Sequence, residues 1–187
     1  SYEPKVYASS SNTIAQSAVF PNAAATDELE LNEVLCFAEN SFSEKSTTFN
    51  DSASTGNCYY NSRLMSTMND FYNNNLTDLP IVEKTLKTVW SGASDKTNGS
   101  NLTGTYKIFP LAGANANESF YIFNYLTSGS DAMKQSNGWW LRSGAASVAD
   151  DAYYVSENGG IISSYYGSTV TYSTVGVRPA FVLNLFG

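Results

Sequence analysis

The sequence predicts an α+β domain with a mixed, mostly antiparallel sheet, two short helices and long loops. Short apolar segments typical of strands occur along much of the chain, and one segment with the 3.6-residue period of a helix lies among them. The elements do not alternate regularly as strand and helix, which is the order that a parallel α/β fold requires. With 187 residues, the chain is long enough for one domain with a substantial core.

The first half of the chain is predicted to contain two strands, a long loop and the clearest helix. A short strand is expected at Lys5–Ala8, and Glu28–Ala38 favours a strand, with a short helix as the alternative. Asn40–Asn57 is polar and predicts a loop. Asn61–Asn74 predicts an amphipathic helix with Ser62 as its N-cap. The apolar residues that share one face of this helix are Leu64, Met65, Met68, Phe71 and Tyr72.

Strands are predicted to dominate the second half. Ile81–Trp90 is compatible with helix or strand, Asp95–Gly104 predicts a loop, and Glu118–Leu126 predicts a short helix. The predicted strands are Thr105–Leu111, Trp139–Arg142, Ala152–Ser156, Ile161–Tyr165 and Val177–Leu185. Between the third and fourth of these, Glu157–Gly160 contains Asn and Gly, which accept positive φ, and therefore predicts a hairpin turn.

Charge and composition argue against several classes of function. The net charge is −7 and the chain has only ten Lys and Arg residues, so we expect no nucleic-acid partner. No apolar run reaches the ~18 residues of a membrane helix, so we expect no membrane insertion. The absence of His removes the commonest general base and zinc ligand. We therefore expect no catalysis, no cofactor and no metal.

The cysteines and the start of the chain leave two questions open. Cys36 and Cys58 are separated by 21 residues, a spacing that is compatible with a disulfide or with two free thiols. The chain starts at Ser1 without Met, which is compatible with the removal of a leader or of upstream domains. The low content of charged residues and the abundance of Asn, Ser, Thr and Tyr favour an extracellular or particle-surface protein.

Two apolar signatures enclose a polar segment near the C-terminus. The first is WWLRSG, Trp139–Gly144, and the second is GVRPAFVLNL, Gly176–Leu185. Residues 145–175, here called the tyrosine-rich segment, contain five Tyr, six Ser, three Gly, three acidic residues and no Lys or Arg. Tyr offers a large contact area at low entropic cost, and Ser and Gly offer adaptable hydrogen bonding. The pattern predicts a rigid scaffold that presents a binding face.

The two signatures, with AYYVSENGGI between them, resemble an uncharacterised bacterial and phage domain family with the motifs WWLRS…AYV..DG.I…GVRPA. Two upstream segments extend the resemblance. NSRLMSTMNDFYNNN is similar to the family's "S.IR.WLN.DFYN" helix, and TYKIFPLAG is similar to its "DKIFLLS" strand. The resemblance covers residues 58–187. On this basis residues 58–187 form the domain, and residues 1–57 are lead-in strands and a loop of the same domain.

The resemblance implies a C-type-lectin-like fold, in the branch related to formylglycine-generating enzymes and to the variable proteins of diversity-generating retroelements. In that branch the first signature corresponds to a "GGSW" element and the second to a "GFR" element. The residues between them bind ligand, and in retroelement-diversified proteins they are hypervariable. The tyrosine-rich segment is therefore the implied binding face. Gly144 stands where the family has Pro, and Tyr153 where it has a small residue.

Eight residues of the tyrosine-rich segment are the candidate ligand contacts. We expect Tyr153 to be exposed and Tyr154 to be partly buried. The candidates are Asp151, Tyr153, Asn158, Ser164, Tyr165, Tyr166, Ser168 and Tyr172.

The tryptophans, arginines and acidic residues have structural interpretations that we favour. Trp139 and Trp140 are interpreted as core residues rather than a platform for sugar. Arg142 and Arg178 are interpreted as internal ties between the strands rather than a clamp for an anion. Their candidate partners are Asp131, Asp150 and Asp151. Asp150, Asp151 and Glu157 are interpreted as a solvated edge rather than a Ca²⁺ site.

The favoured function is a non-catalytic ligand-binding module of the adhesin or receptor-binding type. Its expected partner is a protein or glycan on a cell surface, and its expected location is extracellular, on a cell surface or on a phage particle. The sequence leaves its oligomeric state open. One alternative is a structural module of a larger bacterial surface protein. A second is an enzyme of the formylglycine-generating type, which is disfavoured because the chain has no Cys after Cys58 and no His.

Overall fold

The computed structural model describes residues 4–9, 32–38, 47–52, 57–87, 103–111, 138–144, 150–162 and 168–186. These residues form a mixed α/β structure with antiparallel sheets and a helix. In chain order its elements are β1 (Pro4–Ser9), β2 (Glu33–Ala38), α1 (Arg63–Asn75), β3 (Ile81–Val82), β4 (Lys84–Lys87), β5 (Thr103–Tyr106), β6 (Ile108–Phe109), β7 (Trp139–Gly144), β8 (Asp151–Val155), β9 (Ile161–Ile162), β10 (Ser168–Thr169) and β11 (Ala180–Asn184).

The largest sheet has five strands and is organised around β11. Its order is β1-β2-β11-β3, and β6 also pairs with β11. Every one of these pairs is antiparallel. The apolar end of the second signature therefore pairs with segments from the start and the middle of the chain, and it closes the sheet late in the sequence.

A four-stranded sheet carries the first signature and much of the tyrosine-rich segment. Its order is β10-β8-β7, with β9 also paired to β8. The register of β8 and β9 places Tyr154 opposite Ile162 and Val155 opposite Ile161. This pairing confirms the predicted hairpin, and Gly159 in its turn has φ +80°, a conformation that glycine adopts without strain. A further two-stranded sheet consists of β4 and β5.

The helix α1 confirms the prediction for Asn61–Asn74 within one or two residues. Its N-cap is Ser62, whose Oγ accepts a hydrogen bond of 2.9 Å from the Met65 N–H. This bond satisfies one of the free N–H groups of the first turn. Leu64, Met68 and Phe71 are buried, as the apolar period predicts. The helix ends at Asn75.

Buried aromatic residues from all parts of the chain meet in one core. The largest are Phe49, Tyr59, Phe109, Trp139, Trp140, Tyr153 and Phe181. Phe49 belongs to the segment predicted as a polar loop, and its side chain is fully buried. A single apolar residue among polar neighbours has no periodicity, so the sequence does not mark it as a core residue.

Several predicted elements change in detail. The strand alternative holds for Glu28–Ala38, where β2 begins at Glu33, and for the first part of Ile81–Trp90, which forms β3 and β4. The predicted strand Thr105–Leu111 is divided into β5 and β6, and β5 begins inside the predicted loop, at Thr103. The predicted helix Glu118–Leu126 lies outside the described residues. Among the described residues, no helix combines the length and apolar character needed to cross a bilayer.

Candidate functional site

The two signatures lie side by side in the structure. Trp139 forms a parallel bridge with Gly176. The Trp140 N–H donates a hydrogen bond of 3.1 Å to the Gly176 carbonyl, and the Gly176 N–H donates one of 3.3 Å to the Gly138 carbonyl. Backbone bonds therefore fix the start of the second signature against the start of the first.

The conspicuous side chains of the signatures are internal, as the structural interpretation predicts. Trp139, Trp140, Arg142 and Arg178 are all buried. The Arg178 guanidinium lies 5.0 Å from the centroid of the Trp139 ring, so a cation–π contact joins the two signatures. Arg142 Nη1 donates a hydrogen bond of 3.0 Å to the Pro110 carbonyl, which ties β7 to the chain after β6. These side chains support the site and have no surface for a ligand.

The loop 47–52 contacts both the first signature and the tyrosine-rich segment. The Trp140 indole Nε1 donates a hydrogen bond of 2.7 Å to the Thr47 carbonyl. The Phe49 ring packs edge-on against Trp140, with centroids 5.7 Å apart. The Phe49 carbonyl also accepts a hydrogen bond from the Leu64 N–H in the first turn of α1. The loop is thus held by the core and by the helix.

The same loop holds both ends of an exposed stretch of the tyrosine-rich segment, residues 171–174, here called the 171–174 loop. Val170 and Val175 are buried on either side of it. The Asn50 N–H donates a hydrogen bond of 2.9 Å to the Val170 carbonyl, and the Thr47 N–H donates one of 3.1 Å to the Val175 carbonyl. Thr171, Tyr172, Ser173 and Thr174 are all exposed, and all four carry hydroxyl groups. The result is a short polar surface with fixed ends.

Apart from Tyr153, the predicted contact residues separate into three groups. Tyr172 and Asn158 are exposed, and Tyr172 has 51% of its surface accessible. Asp151 is half-buried, and Ser168 begins β10, where it pairs with Ala152. Ser164, Tyr165 and Tyr166 lie outside the described residues.

The prediction that Tyr153 is exposed is wrong, because its side chain is only 2% accessible. The neighbouring Tyr154 is half-buried, as predicted, and its ring packs against Trp140 with centroids 5.9 Å apart. Strand β8 lies between β7 on one edge and β9 and β10 on the other. Both faces of this strand are covered at its centre, so alternation alone did not reveal which tyrosine reaches solvent.

Asp151 is a supporting residue as well as a candidate contact. Its carbonyl accepts a hydrogen bond of 2.9 Å from Asn57 Nδ2. Partial burial raises the pKa of its carboxyl, and the neighbouring Asp150 adds to this effect. Among the described residues, no group of three or more Cys, Asp and Glu side chains is arranged to hold a metal ion.

A second concave surface lies beside α1, at residues for which the sequence predicts no site. This cleft has a volume of about 460 Å³ and is lined by α1, by the chain at Glu83 and by residues 104–107. The polar and aromatic side chains that line it include Tyr60, Asn69, Tyr72, Asn73, Glu83 and Lys107. The sequence signal is the row Met65, Asn69, Tyr72 and Asn73 on α1, whose spacing of i, i+4, i+7 and i+8 places them on one side of the helix.

Residues 31–185 match the family described as "Domain of unknown function (DUF6273)". The chain belongs to this family. The DUF6273 match begins just before β2 and ends within the last turn of the chain, so it contains the tyrosine-rich segment, the loop 47–52 and the cleft. Strand β1 precedes the match, although it pairs with β2 in the five-stranded sheet. No curated protein and no solved structure shows significant similarity to the chain.

Proposed function

We propose that this DUF6273 domain is a non-catalytic ligand-binding module of the adhesin or receptor-binding type, with a C-type-lectin-like fold. Its contact surface is the tyrosine-rich segment, and its partner is a protein or glycan on a cell surface. The resemblance of the two signatures to that branch of folds supports the proposed fold. The 171–174 loop is the observation that carries the proposed function.

The 171–174 loop combines exposure with fixed ends. Buried valines and two backbone hydrogen bonds from the loop 47–52 hold its ends, so little entropy is lost when a ligand binds. The Tyr172 N–H donates a hydrogen bond of 2.8 Å to the Thr169 carbonyl, and this bond forms a turn at the start of the loop. Tyr172 offers a large amphipathic contact, and the hydroxyls of Thr171, Ser173 and Thr174 offer donors and acceptors. Asn158 adds an exposed amide from the β8–β9 turn.

The proposal also includes location and diversification. We place the domain outside the cell, on a cell surface or phage particle, because its composition is low in charge and rich in Asn, Ser, Thr and Tyr. Tyr165 and Tyr166 remain proposed contacts on sequence grounds. Diversification of the segment by a retroelement requires a neighbouring reverse-transcriptase gene and a near-copy of the 3′ end of the gene. If the locus has neither the reverse-transcriptase gene nor the near-copy, diversification is contradicted and the binding proposal is unaffected.

The experiment is a binding screen on arrays of surface proteins and glycans, followed by titration of each positive with variants. Tyr172→Ala is expected to weaken binding about tenfold or more, as truncation of a central interface tyrosine does. Tyr172→Phe then tests the hydroxyl alone. Thr77→Ala, at an exposed threonine after α1, is the matched control for Thr171→Ala and Thr174→Ala. A ligand whose affinity is unchanged by all the 171–174 loop variants contradicts the proposed surface.

A further inference from the structure

We propose that the cleft beside α1 is a second ligand site, and that it binds a short neutral saccharide. Among the described residues, none of the tyrosine-rich segment lines this cleft. The inference therefore does not depend on the proposed function of that segment. Its volume of about 460 Å³ lies within the ~300–1,000 Å³ of small-molecule sites.

One face of α1 presents two amide side chains to the cleft. Met65, Asn69, Tyr72 and Asn73 follow the i, i+4, i+7, i+8 spacing of a single helical face, and all four line the cleft. Asn69 and Asn73 are exposed. Each amide has two donor hydrogens and an acceptor oxygen. A sugar hydroxyl is both a donor and an acceptor, so a pair of amides on adjacent turns suits neighbouring hydroxyls of one sugar ring.

The charge of the cleft favours a neutral ligand. Lys84 pairs with Tyr106 across the antiparallel strands β4 and β5. Glu83 precedes Lys84 and Lys107 follows Tyr106, so the two residues lie at the same end of the pair and bring opposite charges to the cleft. The Lys107 ammonium also lies over the Tyr72 ring, 5.3 Å from its centroid, and this contact positions both side chains. One cation and one anion line the cleft, so neither a phosphate nor a polycation finds a complementary field.

Tyr60 supplies the aromatic surface that a sugar ring requires. Its side chain is 38% exposed and lines the cleft. The backbone on either side of it is fixed, because the Ser62 N–H donates 3.0 Å to the Tyr59 carbonyl and Asn61 has φ +60°. Asn adopts this left-handed conformation more readily than most residues. A tyrosine ring on a fixed backbone, beside polar groups, matches a sugar, which has an apolar C–H face and hydroxyls around its edge.

The test is a titration with free sugars. Neutral hexoses, N-acetylhexosamines and their disaccharides are screened by saturation-transfer NMR, and the positives are measured by calorimetry. The double variant Asn69→Ala/Asn73→Ala is expected to weaken binding about tenfold or more, because it removes the hydrogen bonds of both amides. Ala is a better helix former than Asn, so this variant keeps the helix and its loss of binding reports lost contacts. Asn74→Ala is the matched control, since Asn74 is exposed on the same helix and does not line the cleft.

Three outcomes overturn the proposal. In the first, no sugar of the panel binds at millimolar concentration. In the second, a sugar binds, but Asn74→Ala lowers the affinity for it as much as the double variant does. In the third, a sugar binds and only Tyr172→Ala weakens it, which assigns the sugar to the tyrosine-rich segment. The cleft is supported if the double variant loses affinity for a sugar and Tyr172→Ala keeps it. This result holds whether or not the tyrosine-rich segment binds a ligand of its own.

Discussion

Lys84 and Glu33 form a buried ion pair that joins two sheets. Lys84 lies in β4 of the two-stranded sheet, and Glu33 lies in β2 of the five-stranded sheet. Their side chains are 5% and 4% accessible. The chain passes directly from β3 to β4 through the cleft residue Glu83, so this pair anchors the backbone immediately after Glu83.

We expect removal of either partner of this pair to destabilise the domain strongly. Lys84→Met leaves the Glu33 carboxylate buried without its cation, and Glu33→Leu leaves the Lys84 ammonium buried without its anion. Each change is expected to lower the free energy of unfolding by about 3–5 kcal/mol. The double variant replaces both charges with apolar groups, and it should lose much less than the sum of the two. Urea denaturation of the wild type and the three variants measures the coupling.

Additive losses in this cycle contradict the proposed coupling. A matched control is Lys107→Met, at the neighbouring and less buried lysine, which is expected to change the unfolding free energy by no more than about 1 kcal/mol. A single change at Lys84 that costs no more than this control indicates that Lys84 is solvated in solution.

Gly144 is expected to be intolerant of any side chain. A Cβ atom there would lie 2.5 Å from the Asn57 amide carbon and 2.6 Å from the Asn57 carbonyl oxygen. Asn57 in turn donates to the Asp151 carbonyl, so a displaced Asn57 loosens β8. Gly144→Ala should lower the unfolding free energy by about 1–3 kcal/mol, the cost of overpacking. The control is Gly160→Ala, whose added Cβ would lie close only to Ser156 Oγ, at 3.4 Å. Thermal denaturation should show little change in the stability of this control.

Tyr153 and Tyr172 are expected to differ sharply in their contribution to stability. Tyr153→Ala removes a buried aromatic side chain from the core and should cost about 3–5 kcal/mol. Tyr172→Ala removes an exposed ring and should stay within about 0.5 kcal/mol. Thermal and urea denaturation of the two variants measures this difference. Equal losses would show that the 171–174 loop packs on the core, which contradicts its description as a free surface.

The parts of the fold with local causes were predictable from the sequence. Ser62 caps α1 because its hydroxyl lies three residues before the Met65 N–H, a relationship that the sequence contains directly. The hairpin turn between β8 and β9 follows from Asn158 and Gly159 in the same way. The burial of Trp139 and Trp140 follows from their large apolar surface in a strand-like segment.

The parts that depend on distant segments were not predictable. Lys84 sits in the polar segment KTLK, yet it is buried in an ion pair with Glu33 of the distant strand β2. Tyr153 and Tyr154 obey strand alternation, but the packing on each face of β8 is decided by other elements. The cleft combines one face of α1 with β5, which are separated by nearly 30 residues, so no spacing rule brings its residues together. The division of the chain at residue 57 and the binding role of the tyrosine-rich segment stay predictions.

Cys36 and Cys58 are expected to remain unreactive until the domain unfolds. Both are free thiols and both are buried. Burial raises the pKa of the Cys36 thiol to about 11, so at neutral pH almost none of it is the reactive thiolate. Ellman's reagent should therefore titrate no thiol in the native protein and two per chain in guanidinium without reductant. Cys36→Ala should leave one. A denatured, unreduced protein with no titratable thiol would instead show that the two cysteines form a disulfide.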